Sequence, residues 1–246
     1  MNEVLKTLNN HRSIRKYKDK EVPEEYLDSI VKAIQSAPTS INGQQLSIIA
    51  VTDKDKKRKL SQLVGDQKWV DEAPVMLIFC ADFYRSDLAL KKHNKELKLI
   101  DNIEATLVGA VDVGIGMGAG IAAAESLGLG IVPIGAVRKE PEAISDMLEL
   151  PKYVFPIAGL CVGFPDHDPG QKPRLPKNAV FHKETYDTSQ MERLIDEYDS
   201  TISNYMKERT EGESDRDWSE TVASTYSFVY FPKVSDAIRK KGYKSE

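Results

Sequence analysis

Residues 102–129 read NIEATLVGAVDVGIGMGAGIAAAESLGL, and what this stretch is decides the fold. It is apolar and about long enough to cross a bilayer. Glu104, Asp112 and Glu125 interrupt it, however, and no Lys or Arg flanks suit a span. Within it, GIGMGA (114–119) fits the GxGxxA dinucleotide pattern. That pattern needs a strand before it, a helix opening at it and an acidic residue about 20 positions on. Here it lies inside an Ala-rich helical run, so a nucleotide loop is set aside. Gly109, Gly114, Gly116, Gly118 and Gly120 allow close approach by another backbone. The stretch is read as a central core helix against which another helix packs closely, from this chain or from a second subunit.

Working outward, LSIIAVTD (46–53) reads as a buried strand, with Asp53 capping a charged helix over 54–64. APVMLIFCAD (73–82) and FPIAGLCVGFP (155–165) are further apolar strands. IVPIGAVR (131–138) is strand and turn, and EPEAISDMLEL (140–150) is a short helix opened by Pro141. Upstream, a short helix spans 3–9. A longer one follows in VPEEYLDSIVKAIQSAP: Pro23, Glu24 and Glu25 suit its first turn, Leu27, Ile30, Val31 and Ile34 form its apolar face, and Pro38 ends it. Strands alternating with helices point to an α/β layered domain with both sheet faces covered. After about 188 the strands stop. An amphipathic helix (189–207), a polar stretch and a mixed helix containing Tyr226, Phe228, Tyr230 and Phe231 are expected to wrap the sheet or a partner.

Composition excludes several functions. The charged share, 29% against 41% hydrophobic, is that of a soluble globular chain, and the net charge of −4 argues against nucleic acid as the main partner. Cys80 and Cys161 lie far apart in apolar runs and read as buried thiols of a reducing compartment. The N-terminus has no continuous apolar region, so no signal peptide is indicated and a cytoplasmic location is expected. His11, His93, His167 and His182 show no metal-ligand spacing, and there is no GxSxG. With no catalytic constellation in view, an enzyme of this sequence needs a cofactor to carry the chemistry.

Two basic clusters remain, HRSIRKY (11–17) and KPRLPK (172–177), the second stiffened by Pro173 and Pro176. Each alone also reads as a solvated charge run. Together they offer the cations, hydroxyl and N–H groups that a phosphate needs. Between them SAPTSINGQQ (36–45) and GDQKW (65–69) supply polar groups and an indole for a polyol and a planar ring.

HRSIRKY, SAPTSINGQQ, DQKW, AAESLGLG, IGAVR, GLCVGFP and KPRLP occur in an order that resembles the FMN-dependent nitroreductase superfamily, in its group of oxygen-insensitive NADPH nitroreductases and NADPH–FMN oxidoreductases. The resemblance covers about the first 180 residues and is looser through the tail. It implies an α+β fold, a central mostly antiparallel sheet flanked by helices, in an intertwined homodimer with two FMN at the interface. Residues 1–246 would form one domain, with an excursion from about 188 wrapping the partner. His11, Arg12 and Ser13 would hold the FMN phosphate with Lys172 and Arg174. Arg15 would approach the pyrimidine end of the ring, where a cation favours the charge of two-electron reduction. Thr39, Ser40, Gln44 and Gln67 would meet the ribityl chain and ring edge, and Pro133, Ile134, Gly135 and Ala136 would pass near the ring. No metal is implied.

Arg209 matches the position that NADPH-preferring members use for the 2′-phosphate. Glu211, Glu213 and Asp215 stand where others carry a second basic group, so NADPH is the expected donor and NADH the alternative. Pro133 replaces an aromatic and Asn42-Gly43 replaces bulkier residues of other members, changes that bear on substrate choice. The function implied is ping-pong transfer of two electrons from NAD(P)H to nitroaromatics, quinones, azo compounds or free flavin. The alternatives are a flavin-binding redox sensor or carrier without turnover, and a purely structural dimer.

Overall fold

A computed structural model describes residues 1–244. The chain forms two compact units, residues 1–169 together with the chain from Phe231 onward, and residues 170–230. The first contains, in order, α1 (Glu3–Asn9), α2 (Glu24–Gln35), β1 (Leu46–Val51), α3 (Lys54–Leu63), α4 (Lys68–Glu72), β2 (Val75–Asp82), α5 (Tyr84–Lys91), α6 (Glu104–Ser126), β3 (Gly130–Ile134), α7 (Pro141–Met147) and β4 (Val154–Gly163). The second contains α8 (Met191–Arg209) and α9 (Trp218–Tyr226), and α10 (Val234–Lys240) returns to the first.

The four strands make one sheet in the order β1-β2-β4-β3, antiparallel at every pairing. The helix–strand alternation that read as α/β layering therefore belongs to an α+β fold. Local pattern reports which segments are strands and says nothing of their neighbours. β2 is buried along its whole length because it lies inside the sheet with both faces covered. Met76, Ile78 and Cys80 face a core with Leu60 of α3, Val70 of α4 and Ile144 of α7. Leu77 and Phe79, on the alternate positions, face Ile30 and Ile34 of α2 and Val113 of α6. β1, expected to be buried, is half-buried because it is an edge strand. The expected cap is present: Asp53 Oδ1 accepts from the Lys56 N–H at 2.8 Å. Phe83, Phe155, Ile238 and Tyr243 form a third core where α10 closes on the sheet end.

α6 is the helix expected from residues 102–129, and it is core on one face only. On that face a Cβ on Gly116 would fall 2.5 Å from Leu46 Cδ2, and one on Gly120 would fall 2.9 Å from Ile34 Cδ1, so α2 and β1 close directly on its backbone. On the other, Leu107, Val111 and Ile115 are exposed, and a Cβ on Gly114 or Gly118 would have nothing within 4 Å among the described residues.

In the second unit α8 buries Leu194, Tyr198 and Ile202. Asp217 and Glu220 form a reciprocal capping box at the start of α9. The mixed helix expected through Phe231 stops at Tyr226, leaving Phe228 and Tyr230 exposed outside any helix.

Candidate functional site

α1 ends at Asn9, and the next residues run extended beside β3. Ile14 is the anchor: it is buried, and its N–H donates to the Ile131 carbonyl at 2.8 Å. Ser13 bridges Ile131, and Tyr17 bridges Pro165 while its hydroxyl donates to the Ile14 carbonyl at 2.8 Å. Gly130 is required here, since a Cβ on it would lie 2.6 Å from Ile14 Cγ1. Burial drives the Tyr17 hydroxyl's pKa upward, so it stays a neutral donor.

With Ile14 pinned, the flanking polar residues take separate partners. His11 Nδ1 lies 2.6 Å from Glu125 Oε1, on the last turn of α6. Arg12 pairs with Asp168 at 3.2 Å and donates to Asn10 Oδ1 at 2.8 Å. The Arg15 guanidinium lies 5.6 Å from the centroid of the Trp69 ring on α4. Gln67, just ahead of that helix, donates its side-chain amide to the Val64 carbonyl at 2.9 Å. At the end of β3, Pro133 and Gly135 are exposed, Ala136 is half-buried and Ile134 is buried. Among the described residues a Cβ on Gly135 would meet only Arg138 Nη2, at 3.5 Å, so this backbone is open to a ligand. The structure thus brings His11, Arg12, Ser13 and Arg15 beside the 130–136 run, with Gln67 and Trp69 at the Arg15 end.

Thr39, Ser40 and Gln44 are placed elsewhere in the same unit. The Ser40 N–H donates to Asp112 Oδ1 at 3.1 Å, midway along α6, and Thr39 Oγ1 accepts from the Gln44 N–H at 3.1 Å. Ile41, Asn42 and Gln44 hold φ of 50°, 54° and 54°, a left-handed turn that exposes this loop. Arg85 secures its exit by donating to the carbonyls of Gln44 (2.7 Å) and Leu46 (2.8 Å). Asp112 and Glu125 are thirteen positions apart, about 20 Å along a helix. One chain therefore presents the two predicted contact sets at separate points of α6.

Lys172, Arg174 and Arg209 belong to the second unit. Arg174 donates to the Lys172 carbonyl at 2.7 Å, and Arg209 donates to the Tyr205 hydroxyl at 3.2 Å. Both cysteines are free and buried. Burial pushes the Cys80 thiol up to about 12 and raises Cys161 as well, so neither is a nucleophile. Three residues that shape these contacts received no role from the sequence: Glu125, Asp112 and Arg85. The signal for the first two was present, as carboxylates inside an apolar helix.

A family model described as the nitroreductase family matches residues 8–164, and one for the C-terminal domain of that family matches 172–246. The chain is 51% identical to an FMN reductase [NAD(P)H] of Bacillus subtilis (strain 168), with all of both chains covered. Among solved structures, B. megaterium NfrA2 superposes with a TM-score of 0.98 at 50% identity over the whole of both chains. The NADPH:FMN oxidoreductase of Vibrio harveyi, solved with NAD+, superposes with a TM-score of 0.90 at 33% identity, again over both whole chains. These matches run through both units, and the chain belongs to the nitroreductase family.

Proposed function

We infer that the chain is an FMN-dependent oxidoreductase that takes two electrons from NAD(P)H. The observation that carries this reading is the course of residues 11–15 along the open end of β3, with Ser13 bridged to Ile131. The donor set fits FMN: an imidazole, a hydroxyl and two guanidinium groups lie in one extended segment, suited to a phosphate and an electron-rich ring edge. The Trp69 indole N–H, buried without a partner among the described residues, fits a group that arrives from outside. His11, Arg12 and Ser13 serve the phosphate, with Lys172 and Arg174 assigned the same task from sequence. Arg15 supplies positive charge to the pyrimidine edge, held in place by Trp69. The backbone of Pro133 to Ala136 lines the ring, and Gln67, Thr39, Ser40 and Gln44 offer hydrogen bonds to the ribityl chain and ring edge. Arg209 serves the 2′-phosphate of NADPH. FMN, when bound, supplies the two-electron relay between nicotinamide and acceptor, which is why no protein acid–base pair is needed.

The working unit in this reading is a homodimer. The exposed apolar face of α6 spans positions 107–118, which straddle the Asp112 tie to residues 39–44, and Glu125 lies further along toward the helix end. A second copy docked on that face covers it and sets one copy's 39–44 loop against the other copy's 11–15 segment. The tail from about 188 adds to the same embrace. Acceptors are flat, electron-poor molecules such as nitroaromatics, quinones, azo compounds and free flavin. The location is cytoplasmic, in keeping with two free thiols. The test is anaerobic titration of the purified holoprotein with NADPH. Bleaching of the flavin band and its return on adding a quinone support the enzyme. A yellow protein that NAD(P)H fails to bleach is a binding module, and one that fails to take up FMN overturns the reading.

A further inference from the structure

Glu125 sits on the last turn of α6, where the partial negative charge of a helix end disfavours a carboxylate. It is largely buried, with its side chain 13% exposed. Oε1 lies 2.6 Å from His11 Nδ1, and Oε2 is buried with no hydrogen-bond partner among the described residues. A charge in such a place costs stability unless a neighbour answers it. The other charged side chains lining the same groove, of about 600 Å³, are Glu3, Lys6 and Arg12. Lys6 is paired with Glu3 at 2.6 Å and Arg12 with Asp168 at 3.2 Å. Among these side chains His11 is the one in contact with Glu125, and it answers the carboxylate directly.

The short contact fixes the ring. A carboxylate oxygen only accepts, so the His11 proton stands on Nδ1. In a neutral ring Nε2 then carries a lone pair, which repels phosphate oxygens. A phosphate at Nε2 therefore requires a second proton on the ring, and the resulting imidazolium is balanced by Glu125 on its other side. Nε2 has no protein partner among the described residues, so that N–H is available to a ligand.

We propose that Glu125 is a positioning residue for the cofactor's phosphate: it orients His11 and balances its charge so that Nε2–H serves as a charged donor. This rests on the FMN reading above. Its test compares two flavins on the apoprotein, since FMN carries the phosphate and riboflavin does not. Wild type and the near-isosteric Glu125→Gln are titrated with each by flavin fluorescence quenching, alongside His11→Gln and the double variant. The expected result is that Glu125→Gln weakens FMN about tenfold and leaves riboflavin unchanged. His11→Gln should do the same, with the double variant no worse than either single one. Equal weakening of both flavins in a folded Glu125→Gln protein means a packing role and overturns the proposal. So does unchanged FMN affinity, or additive losses in the double variant. Failure of wild type to bind FMN is a different outcome, and it overturns the cofactor reading itself.

Discussion

The two faces of α6 are built from the same residue types and do different things. On one, Gly109, Gly116 and Gly120 bring the helix against β2, β1 and α2 so closely that a Cβ at any of them would come within 3 Å of a neighbour. On the other, Leu107, Val111, Gly114, Ile115 and Gly118 fall within about 100° of arc; the three large side chains are exposed, and a Cβ at either glycine would meet nothing within 4 Å among the described residues. Exposed large hydrophobics in one stripe mark an interaction surface. The contrast teaches that apolar composition and glycine content state only that a helix will be packed against. The geometry states which face has already found its neighbour, and the remaining face is where we place the second copy.

The largest expected effect falls on the open face. Val111 is 59% exposed in the single chain, so Val111→Asp should leave monomer stability within about 0.5 kcal/mol. In the dimer it sets an unpaired carboxylate into an apolar seam, a cost of about 4 kcal/mol, or roughly a thousandfold in association. Sedimentation velocity should show monomers where wild type is dimeric, with flavin lost in parallel. A variant that remains dimeric and yellow moves the interface elsewhere. The closed face predicts the reverse. A Cβ at Gly109 would sit 2.7 Å from Ala81 Cβ, which is fixed to β2 and cannot swing away. Gly109→Val should therefore cost about 3 kcal/mol of folding stability, read from urea unfolding.

These two outcomes also mark what the sequence could and could not say. The helix itself was legible: it is long and apolar enough to cross a membrane, but Glu104, Asp112 and Glu125 interrupt it and its glycines suit close packing, which points to a core helix. Its faces were not, since a helix apolar all round gives amphipathic pattern no direction to point in. The strands were legible and their pairing was not. β3 follows α6, yet it neighbours β4 on one side and the His11–Arg15 segment on the other, and the second pairing joins Ser13 to Ile131, more than a hundred positions apart. At the site, Ser13 and Arg15 could be singled out because a cluster of cations in a mildly acidic chain demands a reason. Glu125 and Asp112 appeared as interruptions of an apolar run, and their work became visible only when the fold set His11 and Ser40 against them.

Asp112 links the two faces, since it is buried on α6 and reaches the loop that extends from the closed side. Its Oδ1 holds the Ser40 N–H while Oδ2 has no partner among the described residues. Removing it loses a charge-assisted bond and also an unsatisfied buried atom, and the two partly offset. Asp112→Ala should thus cost only about 1 kcal/mol, with a specific signature. The Ser40 amide, protected in wild type, should exchange rapidly, while amides in β1 stay protected. Unchanged protection at Ser40 would mean that the left-handed turn at 41–44 holds the loop unaided.

The smallest effect is the sharpest on the comparison, because its sign depends on the state of assembly. A Cβ at Gly118 meets nothing within 4 Å among the described residues. Glycine inside a helix costs about 0.8–1 kcal/mol relative to alanine, much of it through the freedom of the unfolded chain. Gly118→Ala should therefore stabilise the monomer by slightly under 1 kcal/mol, measured at concentrations where copies are apart. If a second α6 lies against this face, the added methyl holds the two backbones apart and association weakens. Urea midpoints would then rise at low protein concentration and fall at high concentration relative to wild type, crossing between. A uniform rise at every concentration would show that Gly118 answers to helix propensity alone, and would leave the open face of α6 without the close partner its glycines imply.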